Sequence, residues 1–349
     1  MFRKSVVALG AVLGLGAQAA SPSAAPTTGS TAGFEARFAP LYVAVFSEGG
    51  SFSGSAMSHD LQALEPLLPR AKARDAFRLY YTEASVYGRR DMPAEAASAA
   101  QKALAALPAV DATHAAEFAY PQFFLRHSSI RWLADAGHYA QAVLVVKQFQ
   151  QEYPLSRIAQ LPVQMRWSDD KPVAKAMDFP TQTQILGVYE DEGYLLHEQK
   201  KYREALQANQ RLLPVARERL QALGQPELLR GLLTNLAQNS YELGELEQAR
   251  GYLQQRLDIA LKAQDHATIY DCYFQLMVLA HEQGQPQQAQ QWLAAYERHA
   301  KDQQDSAHLE RSQQLGAYSL PRFAAQQAVG ARHPFPFSDL PRFLRSFLS

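Results

Sequence analysis

Two stretches begin like a metal-assisted hydrolase, HEQKK from His197 and HEQGQ from His281. A zinc site of that kind needs a second histidine one helical turn after the first, so that both imidazoles reach one ion. Lys201 and Gln285 stand there instead. GSFSG from Gly50 has the spacing of a turn that presents a nucleophilic serine, but its central residue is Phe52. Ser168 and Lys171 in SDDK have the spacing of a serine activated by lysine, yet the SDN and KTG elements that complete such a site are missing from the chain. Glu190 and Asp191 in YEDEGY are adjacent acids that diverge by about 100° on a helix, which reads as a solvated face rather than an acid/base pair. Glycine-rich phosphate loops and dinucleotide fingerprints are absent as well. The sequence therefore points to no catalytic residue, no cofactor and no metal.

The elements that position these residues repeat. Five alanines share one context: DMPAEA ending at Ala96, GHYAQA at Ala142, KKYREA at Ala205, GELEQA at Ala249 and GQPQQA at Ala289. Each piece starts with a turn residue, Gly or Asp except for Lys200. Such a residue ends one helix in a left-handed conformation, and the small alanine lets the next helix pack closely on the first. Sixteen residues before the alanines stand Tyr80, Tyr189, Leu233 and Tyr273, with Arg126 the exception. Twelve before them stand the small residues Ala84, Gly193 and Ala237, with Ile130 and Met277 departing.

This pattern resembles the tetratricopeptide repeat, best in LLTNLAQNSYELGELEQARGYL, over about residues 76–301. The resemblance implies an all-α fold, a right-handed α-solenoid of antiparallel helix pairs in which each unit buries its apolar face on the next. The first two units close with Pro108 and Pro154, whereas the later ones carry Arg217, Leu261 and Lys301 at that place. Longer second helices are expected there, which fits anchor spacings of 44 and 40 residues between Ala205, Ala249 and Ala289 rather than the family's 34.

Two stretches break the period. The 63-residue spacing from Ala142 to Ala205 includes an insertion at about 155–184, where Pro162, Pro172 and Pro180 oppose a continuous helix and Trp167 suggests a docking element. The tail 334–349 carries Phe335, Phe337, Phe343 and Phe347, and reads as a cover for an open end of the repeat array.

With chemistry excluded, the inferred function lies on a surface. In the tetratricopeptide family the first helix of each pair lines the concave groove. Carried over, that geometry exposes a basic set, Arg78, Tyr81, Arg89, His127 and Arg131, together with Asp135. It also exposes an acidic, aromatic set: Glu190, Tyr194, His197, Glu198, Tyr241, Glu242, Asp271, Phe274, His281 and Glu282. A ring followed by an acid recurs at His197-Glu198, Tyr241-Glu242 and His281-Glu282. The acids would orient a basic or aromatic segment and the rings would supply its affinity.

Composition agrees with a folded chain: 47% hydrophobic and 19% charged residues leave no disordered or fibrous class open. The start, MFRKSVVALGAVLGLGAQAA, has Arg3 and Lys4, a short apolar run and small residues at Ala17 and Ala19. It reads as a signal peptide over 1–19, followed by a flexible leader over 20–33 and the repeat domain over 34–333. The run is too short to span a bilayer, so no membrane insertion is expected after cleavage. Cleavage takes 34 Lys+Arg to 32 against 34 Asp+Glu, which leaves no basic footprint for nucleic acid. The single cysteine, Cys272, permits no intramolecular disulfide and reads as a buried filler.

The sequence thus describes an exported, non-catalytic scaffold, periplasmic or secreted, that binds a protein segment or peptide in its groove. Two other classes remain open: an envelope ligand sensor or effector-neutralising protein acting through the 155–184 insertion, and an enzyme with its active residues in that insertion. Export makes a direct prediction. Mass spectrometry of the mature chain is expected to show a start immediately after Ala19, and an intact Met1 would overturn it.

Overall fold

Repeating turn residues, seated alanines and period-3.6 apolar faces produce helix hairpins throughout the part of the chain that the computed structural model describes, residues 31–46, 54–107, 118–161 and 180–316. The signal peptide, most of the leader, the centre of the insertion with Trp167, and the tail 334–349 lie outside the described residues. The helices are α1 (Thr31–Phe46), α2 (Gly54–Gln62), α3 (Ala73–Arg89), α4 (Pro93–Ala106), α5 (Ala119–Asp135), α6 (Tyr139–Glu152), α7 (Gln182–Glu198), α8 (Tyr202–Ala222), α9 (Leu229–Glu242), α10 (Leu246–Ala263), α11 (His266–Glu282), α12 (Pro286–Asp302) and α13 (306–316). No strand occurs among the described residues. No helix of the described residues is long and apolar enough to cross a membrane.

Five pairs, α3/α4 through α11/α12, carry the predicted repeat. All five turn residues have positive φ: Asp91 (58°), Gly137 (79°), Lys200 (59°), Gly244 (73°) and Gly284 (69°). The next backbone N–H closes the same bond each time onto the carbonyl five residues back, as in Glu245 to Ser240 at 2.8 Å and Gln285 to Ala280 at 2.8 Å. This is the cap that satisfies the last carbonyls of a helix and turns the chain. Lys200 makes the same turn with no glycine, binding Lys201 N–H to Leu196 O at 2.9 Å. The anchor alanines Ala96, Ala142, Ala205, Ala249 and Ala289 are all buried. Second helices of 14 residues in α4 and α6 give way to 21, 18 and 17 in α8, α10 and α12, as the missing prolines imply.

Contacts divide the chain into two compact units, with the division inside α7 between Asp191 and Glu192. In the first unit, the repeats are preceded by α1 and α2, which the repeat pattern did not reach. Phe34, Phe38, Tyr42 and Phe46 recur four residues apart along α1, so their rings meet in sequence at 5.2, 5.6 and 4.8 Å, and Phe46 stacks on Tyr81 at 5.0 Å. The helix begins at Thr31, slightly before the expected Phe34. The structure describes both ends of the expected 155–184 insertion. Residues Leu155–Gln160 form a 3₁₀ helix with Ile158 buried, Gln182 already opens α7, and the Gln182 amide donates to Leu161 O at 2.9 Å across the base.

In the second unit, successive pairs are tied by side chains about one repeat apart. Arg203 pairs with Glu245, Arg217 donates to Gln255, and Arg250 donates to Gln288. Cys272 is buried and free, its thiol pushed up to about 12 by burial, which makes it inert packing. The end of α11/α12 is covered by α13 through Leu309 and Leu315.

Gly193 shows how tightly a pair seats. A Cβ built there would overlap the side chain of Asn209 on α8, which is fully buried with both amide atoms lacking a hydrogen-bond partner. Gly193→Ala is expected to destabilise the protein by about 1–3 kcal/mol through overpacking. The loss should shrink in an Asn209→Ser background, where the clash is removed; urea unfolding of the two single variants and the double variant measures the coupling.

Candidate ligand-binding site on the first helices

The acidic, aromatic set does not line one open face. Tyr241 is 7% exposed and Phe274 2%, each inside a hydrophobic cluster of the second unit. Alanine at either position would hollow the core rather than probe a surface. The helical period explains this: in the pairs formed by α9 and α11, both rings point toward the helices behind them. Three members of the recurring ring-and-acid pairs, His197, Tyr241 and Glu282, are internal fasteners. His197 Nδ1 donates to Asn239 Oδ1 at 2.9 Å, joining α7 to α9, and the Tyr241 hydroxyl donates to Glu282 at 2.5 Å, joining α9 to α11. Burial raises the Glu282 carboxyl to about 7 despite that bond, and its other oxygen is buried with no hydrogen-bond partner. Asp271 accepts from Arg256 at 2.5 Å and from Gln275 at 2.8 Å. Of this set, Glu198 and Glu242 are exposed, and Tyr194 and His281 are partly buried, with burial holding His281 below the usual histidine range.

The basic set is also divided. Arg78 lies over the rings of Phe38 and Tyr42 and pairs with Glu35 at 2.9 Å, so it fastens α3 to α1. Arg89 donates to Val45 O at 2.8 Å, and Tyr81 is 4% exposed in the core. These three corrections share one reason: α1 occupies the face that the repeat pattern left open. His127, Arg131 and Asp135 remain on α5, with Arg131 and Asp135 exposed.

The structure brings His127 and Arg131 into one cluster with Glu190 and Asp191 of α7, all within the first unit. His127 stacks on Phe123 at 5.7 Å, and burial with the nearby Arg131 charge lowers its imidazole to about 4. Burial raises Glu190 to about 8, with the Asp191 charge adding to it. Burial raises Asp191 to about 7, while Arg131 pulls it back. The two acids expected on a solvated face are half-buried, and Asp191, which was not among the expected site residues, joins Glu190 as a candidate. Adjacent helical residues diverge by about 100°, yet both acids on α7 are half-buried. Two half-buried carboxyls, with the Arg131 guanidinium near one of them, are suited to receiving hydrogen-bond donors or a cation, because desolvation strengthens such contacts. No group of three or more His, Cys, Asp or Glu able to hold a metal occurs among the described residues.

No family model matches the chain, and no curated protein matches it. Solved structures do. The apo form of RapI aligns with a TM-score of 0.50 at 14% identity, covering 86% of this chain and 72% of that one. Aspartyl phosphate phosphatase F from Bacillus subtilis aligns with a TM-score of 0.43 at 13% identity, covering 88% and 85%. The Rap conjugation gene regulator of plasmid pLS20 in complex with the Phr* peptide aligns at 0.41 and 12%, covering 83% and 80%. At such identities the likeness is one of fold. Helix pairs, caps and this likeness define the class: an all-α protein of tetratricopeptide-like helical repeats, each unit an α-solenoid of antiparallel pairs.

The recessed acids make a pH prediction. Their folded values lie above the ordinary ones, so the folded state holds more protons than the unfolded state from about pH 4 to about pH 8. Stability contributed by these groups is present in acid and lost as pH rises through that window. Glu190→Gln should therefore match the parent in thermal stability at pH 5 and exceed it at pH 8. Melting curves at the two pH values check this, and a variant that gains nothing at pH 8 would contradict it.

Proposed function

We propose that the chain is an exported, non-catalytic helical-repeat scaffold that binds an extended protein segment on the first-helix face of its first unit, centred on His127, Arg131, Glu190 and Asp191. The observation that carries this reading is the recessed pair Glu190 and Asp191, whose carboxyls are held above their ordinary range by desolvation. A dehydrated carboxyl gains more from a donor that arrives with a ligand than an exposed one does, and a cationic side chain or an amide-rich backbone supplies such donors. The repeat fold supports the reading through its rows of first helices, and the broken catalytic motifs support a binding role over a chemical one. The charged start and short apolar run support export to the periplasm or beyond. Because Tyr241 and Phe274 are core residues, the acidic face of the second unit no longer offers the aromatic anchors first assigned to it.

A peptide array probed with the full chain tests the proposal. Lys- and Arg-containing peptides should be retained. Glu190→Gln with Asp191→Asn should weaken their retention by about tenfold or more, since the variants lack the carboxylates that an arriving cation would ionise and pair with away from water. Glu198→Gln with Glu242→Gln should change little, because both are exposed. Equal retention by both double variants would sink the site, and no peptide retention at all would sink the peptide-binding role.

A further inference from the structure

Three histidines meet at the end of the second unit, on three different helices. His266 opens α11, His299 lies near the end of α12, and His308 lies in the first turn of α13. His266 Nδ1 and His299 Nε2 are 3.1 Å apart, which is a hydrogen bond between two imidazoles. His308 lies flat on Tyr270, with ring centroids 3.8 Å apart and planes 7° apart, while His299 meets the same Tyr270 edge-on at 5.0 Å. Tyr270 and Tyr296, with centroids 4.9 Å apart, form the floor, and neither hydroxyl has a hydrogen-bond partner although both are buried. Leu309 packs on the same tyrosines, and Leu315 of α13 packs with Phe274 and Met277 of α11.

We propose that His266, His299 and His308 form a proton-operated latch that holds α13 on the last helix pair near neutral pH and releases it in acid. The geometry limits how many protons the seam accepts. Two imidazoles that share a hydrogen bond need one nitrogen lone pair between them, so the pair accommodates one extra proton but not two. His308 Nδ1 lies 2.6 Å from Asp305 Oδ2, and the ring lies on Tyr270, so a charge on His308 would sit on that tyrosine beside His299. A second and third charge on His299 and His266 would repel it across one tyrosine.

The other charged groups around His299 do not cancel this. Burial holds its imidazole below the usual range, and His266 and His308 push the same way, while Asp302 alone opposes them. Arg298 faces Tyr273 and Arg311 faces Tyr296, so α12 and α13 each bring a further positive charge to the seam. Asp305 is already engaged with His308 and with backbone N–H groups, which keep its carboxyl below the ordinary value. For His299 the sign is set: a base with a lowered folded value binds protons more weakly when folded, so the stability it permits is lost as pH falls below about 6.5. Release of α13 would uncover the apolar end of α11/α12, including Tyr296 and Leu293.

Hydrogen–deuterium exchange of the full chain at pH 7.5 and 5.5, corrected for intrinsic exchange, reads the latch directly. Residues 306–316 are expected to lose about tenfold in protection at the lower pH, the size of a one-unit shift, while α9 and α10 keep theirs. His299→Gln should remove most of that dependence. Since His299 is partly buried, His266→Gln on the exposed start of α11 serves as the second variant and should flatten the response in the same direction. Protection of 306–316 that does not change with pH in the parent chain overturns the proposal, as does an unchanged response in a folded His266→Gln.

Discussion

Each helix pair closes at a buried alanine, and the rest of the structure depends on that close approach. Ala96, Ala142, Ala205, Ala249 and Ala289 admit a neighbouring helix at a distance that a larger side chain would forbid. The left-handed cap five residues earlier aims the second helix back along the first. With both in place, residues about one repeat apart come to lie side by side. The bonds from His197 to Asn239 and from Tyr241 to Glu282, 42 and 41 residues apart, exist only because of that register.

The same register decides which polar groups are used up inside the protein. Arg78, Arg89, Asp271 and Glu282 all have sequence positions of surface residues, and all are committed to internal partners. Glu190 and Asp191 lie in a different setting, with Arg131 near Asp191, and burial rather than pairing dominates the behaviour of the two acids. A chain with balanced charge overall can still build a strongly perturbed local site, because electrostatics at this range depends on desolvation and close neighbours and not on net charge.

The ends of the array follow the logic of any stack of repeats, in which a terminal apolar face must be covered. In the first unit α1 does this with a stripe of four aromatics. In the second, α13 covers α11/α12 through Leu309 and Leu315. The two covers differ chemically. Aromatic stacking on α1 is indifferent to pH, whereas the α13 seam is lined by histidines.

Helix pairing, turn positions, seated alanines, lengthened second helices and the inert Cys272 were all legible in the sequence, because each depends on residue type at short spacing. Even Lys200, which lacks the freedom of glycine, was placed by its neighbours in the repeat. The helices α1, α2 and α13 escaped that reading, since covers need only an apolar face and carry no repeat. The direction of individual side chains escaped it too. Whether Tyr241 and Phe274 meet solvent or core, and whether Glu190 and Asp191 meet water or a wall, depends on which helix stands beside them. Types and spacings along one helix determine its apolar stripe. Only tertiary structure decides which part of the remaining surface a neighbour covers, because desolvation is a property of the surroundings and not of the residue.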